Sequence, residues 1–219
     1  VNASNWGRFW GRSWPGTTAL PRPPRARRGG GFTIVELLVV MAIAAILLTI
    51  AVPSYTSTTA IYRVSTESNS LVSDLQYARS EAIKQGITVT LCASSDGQTC
   101  TGTSWQLGRI VLTNPNNAAT PSLANGSTLL RATQAFSGSD TVSSGGVSAI
   151  SFNRDGFAGQ PSGAWNSFSS LAAPVVFTVH PTTPANADSC VVVSRIGKVS
   201  VLADGTTSTT ADSASVTCT

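Results

Sequence analysis

Apolar positions along the chain fall into three regimes: an unbroken run, a helical stripe, and a set of short alternating segments. The run covers residues 32–52, FTIVELLVVMAIAAILLTIAV, and carries one charge, Glu36. As a helix it is about 31 Å long, enough for the hydrocarbon core of a bilayer. It is longer than the roughly 7–15 residues of a secretory h-region. From Ser54 to Gln85 the period changes. Ile61, Val64, Leu71, Leu75, Ala78 and Ala82 recur at helical steps and form one apolar stripe. Arg79, Glu81 and Lys84 fall off that stripe, and Gly86 is the expected stop. The pattern predicts one long helix, interrupted near Pro53, membrane-embedded in its first half and amphipathic in its second.

Beyond Gly86 the period falls to two. Candidate strands are 87–93, 105–113, 128–133, 147–153, 175–180, 190–195 and 198–202. Turn signals separate them: Asp96-Gly97, Asn114-Pro115-Asn116-Asn117, Asn125-Gly126, Asp155-Gly156 and Ile196-Gly197. Residues 114–127 and 158–173 read as loops, and there is no internal repeat. A helix followed by antiparallel strands is an α+β domain with the helix covering a sheet face.

Charge changes the picture at one end only. Six arginines (8, 12, 22, 25, 27 and 28) precede residue 32, and no acid does. From Phe32 onward eight basic side chains face ten acidic ones, a formal charge of −2. The overall +4 therefore belongs to the first 31 residues, and a basic pI is no argument for nucleic-acid binding. Arginines before an apolar span stay cytoplasmic, which places the C-terminal part across the membrane. The one methionine, Met41, lies inside the apolar run; a non-AUG start at Val1 or Leu20 is the expectation, the latter leaving residues 1–19, with Trp6, Trp10 and Trp14, untranslated.

All four cysteines, Cys92, Cys100, Cys190 and Cys218, follow the apolar run. An even count in an exported domain reads as two disulfides with three connectivities. Cys92 and Cys100 bracket the Asp96-Gly97 turn, which favours their pairing and leaves Cys190 with Cys218.

Catalytic chemistry finds little to use. The single histidine, His180, ends a strand beside Pro181, and there is no nucleophile elbow, phosphate loop or paired Cys-x-x-Cys set. Asp96, Asp155 and Asp204 each precede glycine and read as turn residues. No catalytic residue, metal, cofactor or small-molecule substrate is expected. Glu36 is the unusual group. A carboxylate near the end of a membrane helix costs a few kcal/mol. Spacing alone leaves two readings: it pairs with an amine freed at Phe32, on its own or a neighbouring chain, or it snorkels to the headgroups.

The run Gly31-Phe32-Thr33-Ile34-Val35-Glu36-Leu37-Leu38, behind a basic leader and heading an apolar segment, resembles the prepilin cleavage and assembly signature of type IV pilins and type II secretion pseudopilins. The resemblance implies cleavage between Gly31 and Phe32 by a prepilin peptidase, N-methylation of Phe32, and an assembly role for Glu36. Pro53 resembles the proline these helices carry past their first apolar stretch. The segments Leu75-Gln76-Tyr77-Ala78-Arg79-Ser80-Glu81-Ala82-Ile83-Lys84, Gly108-Arg109-Ile110-Val111 after Trp105, Ile150-Ser151-Phe152-Asn153-Arg154-Asp155-Gly156, and Cys190-Val191-Val192-Val193 before Gly197 are similar to the GspH/FimT group of minor pilins and pseudopilins. That resemblance implies a type IV pilin-like fold, with a spine helix and two antiparallel sheets. It divides the chain into a leader (1–31), a transmembrane or filament-core helix (32–52), an amphipathic continuation (53–85) and a periplasmic or extracellular β-rich domain (86–219). The expected role is that of a minor pilin in a tip or priming complex, held in the inner membrane before assembly with other pilins. The alternatives are a type II secretion pseudopilin and a DNA-binding minor pilin. Some FimT-type members bind DNA through Gly-Arg-x-Arg. Here the matching stretch is Gly197-Lys198-Val199-Ser200, with Arg195 before it, so Arg195 and Lys198 are the candidate contacts. Lysine lacks the bidentate fork of arginine, and the second cation is lost.

Overall fold

The computed structural model describes residues 31–162, 168–182 and 187–218. The expected leader, apart from Gly31, lies outside the described residues. The chain divides into two units, residues 1–45 and 46–219, and helix α1 (Ile34–Gln85) contributes to both. The helix starts two residues into the apolar run because Thr33 caps it. Thr33 Oγ1 accepts the Glu36 N–H at 3.2 Å, and the Thr33 carbonyl accepts the Leu37 N–H at 3.1 Å. Threonine at the N-cap with glutamate three residues on is the sequence of a capping box. The expected interruption at Pro53 is absent, and α1 runs through it. One proline removes one backbone donor, and the bonds on either side carry the helix across. Gly86 ends it with φ of +68°, its N–H bonded to the Ala82 carbonyl at 3.0 Å.

Among the described residues the strands that follow are β1 (Val89–Ala93), β2 (Gly108–Thr113), β3 (Leu129–Gln134), β4 (Thr141–Ser143), β5 (Ala149–Phe152), β6 (Ala158–Gln160), β7 (Ser169–Ser170), β8 (Val175–His180), β9 (Ser189–Val193), β10 (Val199–Ala203), β11 (Thr207–Thr209) and β12 (Ser215–Thr217). One antiparallel sheet has the order β3-β2-β1-β5-β6-β7, a second β10-β9-β8-β4, and β11 pairs with β12 as a separate hairpin. The expected two-sheet α+β fold, a long N-terminal helix followed by antiparallel sheets, is the observed one, with the hairpin added.

Local expectations need correction in three places. Residues 105–107 form a 3-10 turn rather than the start of a strand, and β2 begins at Gly108. The expected loop 158–173 contributes β6 and β7 to the sheet edge, while its residues 163–167 lie outside the described set. The short strands β4, β11 and β12 carry no alternation long enough to read, and their pairing partners define them.

The core follows the pleat. On β1, Val89, Leu91 and Ala93 face the main core while Cys92 faces a smaller cluster with Ile110, Leu112 and Ala149. The main core joins both sheets to α1 through Val64, Leu71, Leu75, Ala78 and Ala82. Trp105 meets Phe177 edge-on at 4.8 Å between centroids, and its Nε1 donates to the Val147 carbonyl at 2.8 Å. Ile61 departs from the expected stripe and is 53% exposed, because Ala60 takes the buried position one turn before Val64.

Candidate functional site

Gly31 and Phe32 precede the Thr33 cap, and Phe32 is 81% exposed. Every residue from 31 to 56 is exposed, including Glu36 and the whole apolar run. Glu36 occupies the first turn of α1, where a negative charge complements the positive end of the helix dipole. An exposed apolar surface of this extent is a binding surface by composition. The helix is also long and apolar enough to cross a membrane. What this segment can do is anchor in lipid or pack against other helices. Thr33, which fixes where the helix begins, was the functional residue missed here, although Thr-x-x-Glu was its visible signal.

Farther along α1 a polar stripe runs beside the apolar one, at residues 63, 67, 70 and 74. Asp74 is buried and accepts from Arg109 Nε at 2.6 Å, Thr133 Oγ1 at 2.9 Å and Arg131 Nη1 at 3.1 Å. The sheet register places these donors together: Arg109 is opposite Thr133, and Arg131 opposite Val111, so all three share the face toward α1. Arg109, 1% exposed, also donates through Nη2 to Ser70 Oγ at 2.6 Å and stacks over Phe136. Burial lowers its pKa, with Asp74 opposing that shift. Arg131 stacks over Tyr77 at 4.1 Å.

About three turns closer to the N-terminus than Asp74, Arg63 makes a two-pronged contact with the Asp140 carboxylate, through Nε to Oδ2 and through Nη2 to Oδ1 at 2.7 Å. The Thr182 N–H also donates to Asp140 Oδ1, at 3.2 Å. Burial pushes Asp140 up, but the bonds from Arg63 and Thr182 outweigh it and hold the group below the usual aspartate value. Glu67 lies between these two clusters on the same stripe. Nothing in the apolar period announced this stripe. Its signal was Arg109, a charge inside the candidate strand 105–113.

The cysteines are joined as Cys92–Cys100 and Cys190–Cys218. The first closes the loop after β1, where Asp96 accepts from the Gln98 and Thr99 N–H groups, Thr99 Oγ1 and Ser94 Oγ. Those bonds, led by Thr99, hold the Asp96 pKa well below the ordinary range. The second ties the β11–β12 hairpin to β9.

Arg195 and Lys198 are exposed on the turn between β9 and β10. The structure brings that turn against the one between β5 and β6, which carries the exposed Arg154. Arg79 of α1 staples the two, donating to the Gly156 carbonyl at 3.0 Å and the Ile196 carbonyl at 3.2 Å. A Cβ on Gly197, whose φ is +74°, would lie 2.1 Å from the Gly156 oxygen. His180 closes β8 with Nδ1 2.8 Å from Asp188 Oδ2. Among the described residues no three His, Cys, Asp or Glu side chains converge as a metal site.

Residues 67–197 match the family model for the type II transport protein GspH, and residues 26–52 match the prokaryotic N-terminal methylation motif. Among solved structures, two crystal forms of the type IV minor pilin FimU from Pseudomonas aeruginosa, strain PAO1, are similar to this chain, each at 20% identity and a TM-score of 0.46. The P21 form covers 64% of this chain and 87% of its own, and the P65 form 63% and 91%. No curated protein matches.

Proposed function

Because the chain belongs to the GspH family of minor pilins and pseudopilins and carries an N-terminal methylation motif, we propose that it is a minor pilin that enters a tip or priming complex of a type IV pilus and promotes its assembly. The observation that carries this reading is the coincidence of that motif with a helix whose side chains are all exposed from Ile34 to Thr56. A prepilin peptidase cuts between Gly31 and Phe32. The methylated amine of Phe32 then meets Glu36 of an adjacent pilin, and the pairing sets the register of packed helices in a medium of low dielectric. Before assembly the segment 32–52 holds the protein in the inner membrane, N-terminus cytoplasmic and β domain periplasmic. The family is structural rather than enzymatic, which accords with a role exerted through packing.

Mass spectrometry of the mature protein should find a methylated N-terminus at Phe32; an intact leader in the assembled protein rules the processing out. Glu36→Val should leave cleavage intact and reduce incorporation at least tenfold, with pilus number and twitching reduced. Normal pili with defective type II secretion would assign the chain to a pseudopilus instead.

A DNA-binding role is favoured by one observation, the juxtaposition of the Arg154 turn with the Arg195–Lys198 turn. Three exposed cations on adjoining turns suit phosphate contacts. Gel shifts of the full chain in detergent should then weaken steeply with salt and further with Arg195→Ala; no shift at any salt removes this reading.

A further inference from the structure

We propose that two copies of this chain dock head to tail, the β9–β10 turn of one filling a groove at the opposite end of the β9–β10 hairpin of the next. The groove has a volume of about 400 Å³ and lies between α1 and β10. Ile61 and Val64 line it from the helix, and Val201 and Leu202 from the strand. Ile61 is 53% exposed and Val201 45%. β10 is the edge of its sheet, so among the described residues no strand lies beyond it to cover these side chains. Asp188 and Asp204 complete the lining, the Asp204 N–H bonded to the Asp188 carbonyl at 3.1 Å. An apolar groove bordered by two carboxylates suits an apolar side chain flanked by cations.

The turn between β9 and β10 offers that chemistry. Ile196 is 43% exposed, with the exposed cations Arg195 and Lys198 on either side of it. The turn is fixed in advance, because Arg79 holds the Ile196 carbonyl at 3.2 Å and Gly197 rests on the Gly156 carbonyl. A preorganised knob loses little freedom on docking. Turn and groove occupy opposite ends of one hairpin, which pairs from Ser189 with Ala203 to Val193 with Val199. Arg79 touches the turn and Val64 the groove, so about fifteen residues of α1 separate the two ends by roughly 22 Å. Parallel copies displaced along α1 therefore bring the turn of one to the groove of the next. The two surfaces differ, so the contact is heterologous, and copies displaced along a shared direction add in a line rather than close a ring. The parallel arrangement rests on the reading of the chain as an assembling pilin, and the contact supplies that assembly with a partner, a second copy.

The test is thiol cross-linking of the full chain in detergent, with a short bis-maleimide that leaves both disulfides intact. Ile196→Cys in one copy mixed with Val201→Cys in the other should give about tenfold more covalent dimer than either variant alone. Random association of the apolar helices cross-links the single variants as readily as the mixture, and that result overturns the proposal. So does a mixture without dimer, which leaves the groove to a different pilin or to lipid. Charge reversal supplies a second readout. Lys198→Asp in the copy that brings the turn, or Asp204→Lys in the copy that brings the groove, should lower the yield about fivefold, and the two together should restore it. Yields that ignore both reversals overturn the docking geometry. Ile196, Lys198, Val201 and Asp204 are all exposed, so none of these variants disturbs the core. Incorporation into pili without the dimer defeats this contact alone, whereas an uncut leader beside a normal dimer defeats the pilin reading alone.

Discussion

Alanine at position 74 should destabilise the β domain by about 3–5 kcal/mol, measured as a shift in denaturant midpoint at unchanged slope. Asp74 is the anion shared by Arg109, Arg131 and Thr133. Removing it leaves the Arg109 guanidinium, whose side chain is 0% exposed, without its ion-pair partner in the interior. Ser70 and the Phe136 ring remain, but a hydroxyl and a ring do not neutralise a buried cation. The contrast with Arg131 decides whether burial is the cause. Its side chain is 38% exposed, so Arg131→Ala should cost about 1 kcal/mol or less. The pair replacement Asp74→Leu with Arg109→Met should recover most of the single-variant loss, because apolar groups of similar size need no partner.

The second large effect concerns the C-terminal bridge. Cys190 and Cys218 are 28 residues apart in sequence, and Cys92 and Cys100 only 8. In the chain-entropy picture the longer loop is worth about 3.5 kcal/mol and the shorter about 2.5. Replacing Cys190 and Cys218 together by serine should therefore lower the melting temperature more than replacing Cys92 and Cys100. The loss should also be local. A two-stranded hairpin is marginal by itself. β11–β12 is held to the rest by the bridge, by the Asp204 N–H on the Asp188 carbonyl at the entry to the hairpin, and by the Asp212 carboxylate on the Arg195 N–H. Limited proteolysis of the double-serine protein should cut first within residues 205–218. Cleavage that starts elsewhere would show that the hairpin stands without its bridge.

Most of the fold was legible because period carries it. The unbroken apolar run and the 3.6-residue stripe after it together marked α1 almost to its ends, and β8 has the bounds that its alternation marked. Where reading failed, the determinant was not local. Ile61 and Ala60 differ by one helical step, and only the position of the sheets decides which is buried. The 3-10 turn at Trp105 follows from a ring held by Phe177 and the Val147 carbonyl, residues far along the chain. β6 exists because β5 offers it an edge, and β7 because β6 then does. The N-terminal methylation motif over residues 26–52 was readable because it is a linear pattern that needs no tertiary partner. The charge clusters were not, since Arg63 and Asp140 are 77 residues apart and Asp74 and Arg109 are 35. Composition even pointed away from them, as a chain with 11% charged residues gives no hint that several of its charges are interior.

The contact between Gly197 and the Gly156 carbonyl divides the β9–β10 turn into two kinds of position. Gly197 has no spare room at all, so its identity is set by the neighbouring turn rather than by any ligand. Arg195, Ile196 and Lys198 point outward and bear on nothing that the fold requires of their side chains. A chain lineage can therefore rewrite the chemistry of this turn one residue at a time, gaining or losing cations, while the glycine that shapes it stays fixed.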